Sequence, residues 1–295
     1  MTARVLPILT AVNDGYARPA AVMLFSLMSN LAPGYQVEVL IMTTSLAPES
    51  RDSIKQAVRR FPVTIKFLEV SDSRLNGLKL DGHVSIETYL RILAADLLGD
   101  LDKVLYLDCD LLVRHSVHPL FEVDATNVHL LAAPNLSPAS GSFGSPRGVP
   151  SFSLLGIAPE TPTFNAGVMV LNLRRWRETR AADQIFAYLR DYRQHVLWWD
   201  QDGLNAVLYQ SWAPLVGKWN FMTNHWGNFT SWRDSLLDEV AFAATRGDPA
   251  IIHYSSTEKP WMHGYDGLFA KDWSQAFLQL QLSSGHPAAV CASQA

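Results

Sequence analysis

KVLYLDCDLLV, residues 103–113, is an apolar run broken by two acids. Val104 to Leu107 lead straight into Asp108-Cys109-Asp110, and Leu111, Leu112 and Val113 follow. Such a run reads as a buried strand that ends in two carboxylates. In an extended chain residues i and i+2 project to one side, roughly 6–7 Å apart. Asp108 and Asp110 therefore face one way and Cys109 the other. Two carboxylates walled in by Leu and Val repel each other unless a positive charge lies between them. A divalent cation answers this, and one with coordination positions to spare can hold a diphosphate. The bland alternative, a solvated turn after the strand, sits poorly with the apolar flanks.

Upstream of this stretch, strand and helix patterns alternate. Val5–Val12 is an apolar run closed by Asn13-Asp14-Gly15. Residues 18–31 carry Ala21, Leu24, Phe25, Met28 and Leu31 at helical spacing. QVEVLIMT (36–43) is a strand, Pro48 opens a helix that runs to near Arg60, and VTIKFLEV (63–70) alternates Val63, Ile65 and Phe67 inward. Ser85 reads as the N-cap of IETYLRILAADLL, whose stripe is Ile86, Leu90, Leu93 and Leu97. Arg91 lies off that stripe, as a surface residue or a partner for a carboxylate. The βαβαβ order predicts an α/β fold with a mixed, mostly parallel sheet flanked by helices. Ligands of such sheets lie beyond the carboxyl ends of the strands, so Asn13-Asp14 and Asp108–Asp110 are expected to share a cleft.

Downstream, VHLLAA (128–133) reads as a strand, and the Pro-, Ser- and Gly-rich residues 134–163 read as a lid or binding loop. Phe164-Asn165-Ala166-Gly167 leads into the strand VMVLNL. A helix from near Arg174 carries Trp176, Ile185, Phe186 and Leu189. Asp200 and Asp202 precede the helix GLNAVL and read either as N-caps or as site acids. Ile251–Tyr254 is a short strand, and His253 at its end is a candidate partner for the two acids around a Mn²⁺-like ion. Lys259 is a candidate point charge for a diphosphate, or a solvated loop residue. Asn13 or Asp14 could contact a nucleoside and Tyr16 could stack on a base. Tryptophans such as Trp198, Trp199, Trp219, Trp226, Trp232 and Trp261 are core residues or sugar platforms. One domain over residues 1–283 is expected, with an unstructured tail at 284–295.

Composition bounds the function. The 295 residues are 48% hydrophobic and 18% charged, enough for a full core. Lys and Arg number 24 against 28 Asp and Glu, which gives no basic face for nucleic acid. Cys109 and Cys291 cannot build a disulfide framework, so a reducing cytoplasm is expected. The opening MTARVLPILTAVNDGY reads as a first strand and not as a signal peptide. No run approaches a membrane span, and no basic residue follows Lys271.

Taken in order, seven landmarks resemble the family 8 glycosyltransferases, a group that includes bacterial lipopolysaccharide glucosyl- and galactosyltransferases and glycogenin. They are TAVNDGY (10–16), HVSIETYLRILAADLL (83–98), KVLYLDCDLLV (103–113), FNAGVMVLNLRRW (164–176), WDQDGLN (199–205), KWNFMTN (218–224) and HYSSTEKPW (253–261). The resemblance spans residues 5–264 or so. It implies a Rossmann-like GT-A fold, UDP-sugar donors, Mn²⁺ (or Mg²⁺) and retention of anomeric configuration. It further implies metal ligation by Asp108, Asp110 and His253. Ala11, Asn13, Tyr16, Arg91, Asp108, Cys109, Asn165, Ala166, Asp200, Gln201, Ser256 and Lys259 fall at donor-binding positions, and Asp200 and Gln201 lie around the anomeric carbon. The chain departs from the family pattern at Asn13, often Asp in relatives, at Ser256, often Gly, and at Asn135, where relatives can carry an acid.

The expected activity is transfer of a hexose, glucose or galactose, from a UDP-sugar to an acceptor hydroxyl on a glycan, lipid-linked or protein substrate. Two other readings compete: a non-catalytic UDP-sugar-binding protein on the same fold, and a phosphohydrolase of the haloacid dehalogenase kind, which also places D-x-D after an apolar strand.

Overall fold

In the computed structural model, residues 3–82 and 84–284 are described. Among these described residues, ten strands form two sheets. The large sheet contains β1 (Arg4–Ala11), β2 (Tyr35–Thr43), β3 (Val63–Glu69), β4 (Lys103–Leu107), β6 (Leu130–Pro134), β7 (Phe164–Asn172) and β8 (Trp212–Pro214). The small one contains β5 (Leu111–Val113), β9 (Phe221–Met222) and β10 (Ile251–His253). The large sheet runs β3-β2-β1-β4-β7-β6-β8, with β4 parallel to β1 but antiparallel to β7. This is the mostly parallel α/β sheet expected, and its direction reverses beside β4.

The apolar runs are near-continuous because both faces of the sheet are covered. Along β4, Leu105 and Leu107 pack with the helices Ala17–Ser29 and Pro48–Val58, whereas Val104 and Tyr106 pack with the opposite cluster. β7 alternates in the same way, Val168 and Val170 against Met169 and Leu171. β3 is the sheet edge, so Val63, Ile65 and Phe67 are only half-buried.

Four local expectations are corrected. Residues Ile86–Leu93 form a 3₁₀ helix, with a single α-turn, Ala94–Leu97, after it. Ser85 does not cap it; its Oγ accepts from Asn13 Nδ2 at 3.0 Å. Side chains three apart eclipse in a 3₁₀ helix, so Ser85, Thr88 and Arg91 share one face, and all three line the main cavity. An α-helix would carry Arg91 away from Ser85; of its two expected roles Arg91, off the apolar stripe and 5% exposed, takes that of partner to carboxylates, Asp108 and Asp200. The expected stripe end, Leu97, is 39% exposed. Second, the helix expected from Arg174 is two helices, Leu173–Thr179 and Ala181–Asp191, broken where Arg180 turns left-handed at φ 55°. Third, the helix read as starting after Asp202 starts at Trp199, so Asp200, Gln201 and Asp202 lie in its first turn. Fourth, Asn165, Ala166 and Gly167 belong to β7 itself.

Residues 134–163 fold into consecutive turns pinned by a bridge between Ser142 and Pro162. Four α-helices of the described residues had no counterpart in the sequence reading, the single turns Pro119–Glu122 and Thr223–Trp226 and the longer Glu239–Gly247 and Ala270–Ser284. The last of these docks Trp273 and Leu280 onto the core shared with Ala17–Ser29. Beyond Ser284, the tail expected to be unstructured lies outside the described residues, as do His83 and Cys291. No helix among the described residues is long and apolar enough to cross a membrane.

Candidate active site

A cavity of about 720 Å³ opens at the carboxyl ends of β1 and β4. Chain reversal puts the amino end of β7 beside them: the Asp108 N–H donates to Gly167 O at 2.9 Å. Asn13 and Asp108–Asp110 do share this cleft, and all the donor-site residues expected from the resemblance line it. Asp14 does not. Its carboxylate accepts from the Ala47 N–H at 3.0 Å, at the start of the helix Pro48–Val58.

Asp108, Asp110 and His253 meet at its floor, each offering one ligand atom, all within 4.8 Å of one another. The two acids are built alike. Asp108 Oδ1 accepts from Tyr106 Oη at 2.9 Å and pairs with Arg91 Nη2 at 2.9 Å, leaving Oδ2 turned to His253 Nε2 at 3.9 Å. Asp110 Oδ2 accepts from Lys259 Nζ at 2.6 Å, leaving Oδ1 turned to His253 Nε2 at 3.4 Å. One oxygen of each acid is thus tied to a fixed cation, and the other points to a common spot. Burial would raise the Asp110 pKa, but the charges of Lys259 and His253 drive it far below the usual carboxylate range.

The space between the ligands is kept by Gly167, where a Cβ would lie 2.4 Å from His253 Cε1 and 2.9 Å from Asp108 Oδ2. Two carboxylate oxygens and an imidazole nitrogen suit a divalent ion such as Mn²⁺ and leave positions open for further oxygens. His253 Nδ1 is engaged by Asn220 Oδ1 at 2.8 Å, the arrangement by which metal-binding imidazoles are oriented. The residues therefore fit the cation expected from the sequence.

Arg91 ties this floor to the wall. Its Nη1 donates to Ala166 O at 2.6 Å, its Nε to Thr88 O at 3.1 Å, and Nε lies 3.0 Å from Asp200 Oδ2. Asp200 Oδ1 accepts from Thr88 Oγ1 at 3.0 Å, but Oδ2 is buried with no hydrogen bond. Burial raises the Asp200 pKa to about 6, against the opposing pull of Arg91. Asp200 is therefore not an N-cap. Asp202 does the backbone work: its Oδ2 accepts from the N–H groups of Leu197 and Trp198 at 2.6 and 3.0 Å. Gln201 Oε1 accepts from Asn165 Nδ2 and from the Ala166 N–H, both at 3.1 Å.

Asn13 caps the turn Asp14–Tyr16 through its Oδ1, so its turn role and its place in the cavity coexist. Tyr16 lies edge-on to Trp261 with centroids 5.7 Å apart, and burial lifts its hydroxyl pKa to about 12. Asp108–Asp110 join β4 to β5 through a bend, and Cys109 there turns its thiol away from the acids, donating to Ala11 O at 3.0 Å. Ser256 lines the cavity and donates to Glu258 O at 2.5 Å. Asn135 donates to Thr163 Oγ1 at 3.0 Å. Of the tryptophans, Trp198 and Trp199 face the cavity, whereas Trp219 and Trp226 are buried core.

Sequence reasoning passed over Thr88, Tyr106, Gly167 and His225, which line the cavity, and Asn220, which holds His253. The spacing of three from Ser85 to Thr88 to Arg91 is the one signal that could have found Thr88, given a 3₁₀ helix. Asn220 stands inside KWNFMTN without a role assigned.

Comparison with known proteins points the same way. The description Glycosyl transferase family 8 matches residues 7–264. General stress protein A of Bacillus subtilis (strain 168) is 26% identical over 261 residues, covering 87% of this chain and 87% of that protein. Lipopolysaccharide 1,3-galactosyltransferase of Salmonella typhimurium is 26% identical over 247 residues, covering 83% of this chain and 68% of that one. Among solved structures, the galactosyltransferase LgtC in complex with donor and acceptor sugar analogs aligns with a TM-score of 0.79 at 25% identity, over 93% of this chain and 96% of the other. The architecture is the GT-A fold.

Proposed function

The chain belongs to glycosyl transferase family 8, and from that premise we propose that it transfers a hexose, glucose or galactose, from a UDP-sugar to an acceptor hydroxyl with retention of configuration and dependence on a divalent cation. The observation that carries this reading is the convergence of Asp108, Asp110 and His253, with the outer oxygen of each acid already neutralised by Arg91 or Lys259. A cation held by these three would neutralise the diphosphate as UDP leaves.

The remaining roles belong to side chains. Lys259, 4% exposed and fixed by Asp110 and Tyr254 O, supplies a second positive charge beside the leaving group. Tyr16, Asn13 and Ala11 form the nucleoside end of the cavity, and Ser256 borders the diphosphate. Asn165, Ala166, Asp200 and Gln201 surround the sugar. The sugar becomes cationic as its bond from C1 to the diphosphate oxygen breaks, as in glycoside hydrolysis. The acceptor oxygen then bonds to C1 on the face that UDP leaves, and its proton passes to a phosphate oxygen. Same-face attack is favoured over a covalent intermediate because Arg91 lies 3.0 Å from Asp200 Oδ2 and damps its nucleophilicity. A reducing cytoplasm is the proposed setting, supported by the free, buried thiol of Cys109. The haloacid dehalogenase alternative falls with the family assignment.

The test is a panel of UDP-sugars with Mn²⁺, scored by UDP release. At least one hexose donor should be hydrolysed, EDTA should abolish the activity, and Asp110→Asn should remove it. A product of inverted configuration by NMR, or a glycosyl ester trapped on Asp200 in intact-mass analysis, would overturn the mechanism. Binding of UDP-sugar without hydrolysis or transfer across an acceptor screen would favour the non-catalytic reading.

A further inference from the structure

A chain of amides, Asn220 buried and Asn165 and Gln201 partly buried, runs from His253 to Gln201. Asn220, 0% exposed, accepts from His253 Nδ1 at 2.8 Å and donates through Nδ2 to Asn165 Oδ1 at 2.8 Å. Asn165 in turn donates through Nδ2 to Gln201 Oε1 at 3.1 Å.

The direction of every link is fixed by two backbone groups. The Gly167 N–H lies 2.9 Å from Asn165 Oδ1, and the Ala166 N–H lies 3.1 Å from Gln201 Oε1. A backbone N–H can only donate, so both facing atoms are carbonyl oxygens and neither amide can be flipped. The Asn220 atom facing Asn165 Oδ1 must then be its NH₂, and the atom facing His253 its carbonyl. It follows that Nδ1 of His253 carries a proton. In the neutral ring the lone pair is on Nε2, the nitrogen that faces Asp108 and Asp110.

The geometry points to Asn220 as a positioning residue that couples the two halves of the reaction. On one side it obliges His253 to present Nε2 as a ligand. On the other it holds Asn165, so that the Gln201 carbonyl is occupied by two donors and its NH₂ is the group left for the substrate. This rests on the proposed roles of His253 as a metal ligand and of Gln201 beside the donor sugar.

Asn220→Asp separates the two effects. A carboxylate still accepts from His253 Nδ1, but it meets Asn165 Oδ1 as a second acceptor and breaks the link to Gln201. Asn220→Ala removes both links. We expect Asn220→Asp to bind Mn²⁺ within about threefold of the natural chain by calorimetry, with kcat for UDP release at least tenfold lower and donor KM little changed. Asn220→Ala should also lose roughly 10–100-fold in Mn²⁺ affinity, the usual cost of removing a partner that orients a metal ligand. Long-range ¹H–¹⁵N correlation of His253 in the unsubstituted protein should report the Nδ1–H tautomer, with no variant required.

The inference is overturned if that ring is the Nε2–H tautomer, if Asn220→Asp keeps full kcat, or if both variants lose Mn²⁺ equally. Absence of Mn²⁺ binding by the natural chain would instead sink the proposed function, and the tautomer would still decide the relay.

Discussion

Replacing Gly167 with alanine should disable the site while leaving the fold standing. Gly167 lies in β7 and is not among the glycines at positive φ, so its backbone accepts a side chain. The obstacle is space. The new Cβ would sit 2.4 Å from His253 Cε1, 2.8 Å from His253 Nδ1 and 2.9 Å from Asp108 Oδ2. Carbon atoms in contact sit about 3.5–4.0 Å apart, so a shift on the order of 1 Å is forced. Neither neighbour is free to give way. His253 is 4% exposed and held by Asn220, and Asp108 is held by Tyr106 and Arg91. Metal ligands tolerate only about 0.2 Å of error in distance. Overpacking costs about 1–3 kcal/mol, and relief of glycine's backbone entropy returns up to ~1 kcal/mol. Gly167→Ala should therefore melt only a few degrees lower in the absence of metal, yet lose Mn²⁺ affinity on the order of 100-fold by calorimetry. Affinity within threefold of the natural chain would refute this account of the floor.

Two further predictions concern charge. Burial raises the Asp202 pKa to about 7, against the lowering by the N–H groups of Trp198 and Leu197. A folded pKa above the unfolded value means the fold binds the proton more tightly. That stabilisation is complete below about pH 4 and is lost as pH rises through about 7. Denaturant melts from pH 4 to 8 should show stability falling over that window, and Asp202→Asn, which keeps an acceptor for both N–H groups, should flatten the slope; an unchanged slope would assign it to other groups. Arg91→Met leaves Asp108 and Asp200 facing each other without their shared cation and should cost about 3–5 kcal/mol. Arg91→Lys restores the charge but cannot reproduce contacts to Ala166 O, Thr88 O and both carboxylates at once, so a melting temperature between the other two and UDP release at least tenfold down are expected; full activity in Arg91→Lys would show that charge alone suffices.

What the sequence disclosed depended on periodicity. β1, β2, β4 and β7 were legible because both sheet faces are buried there and their apolar runs are long, and the edge strand β3 because it alternates. Asp108 and Asp110 were legible as acids at the end of a long apolar run, and their opposition to Cys109 was expected from alternation although the chain bends there. His253 was a candidate from its place at the end of a short apolar strand, but that it stands beside the two acids was implied by family likeness, since pairing of β10 with β5 is a long-range event. The 3₁₀ helix was misread because its apolar residues satisfy α-spacing almost as well, and only the tertiary demand for Thr88 and Arg91 on one face separates the two. Asn220 was invisible because a buried asparagine announces nothing until its donors and acceptors are in place.

The small sheet has a consequence for how the protein comes into being. His253 sits on β10, which inserts between β5 and β9, and every strand of the large sheet precedes it in the chain. On the ribosome the two acids emerge long before the imidazole and Lys259 that complete them. A nascent or prematurely terminated polypeptide can hold all seven long-sheet segments and still lack half of its floor. Whatever chemistry needs the imidazole and Lys259 beside the two acids is thus acquired only once β10 has paired with β5 and β9, late in synthesis.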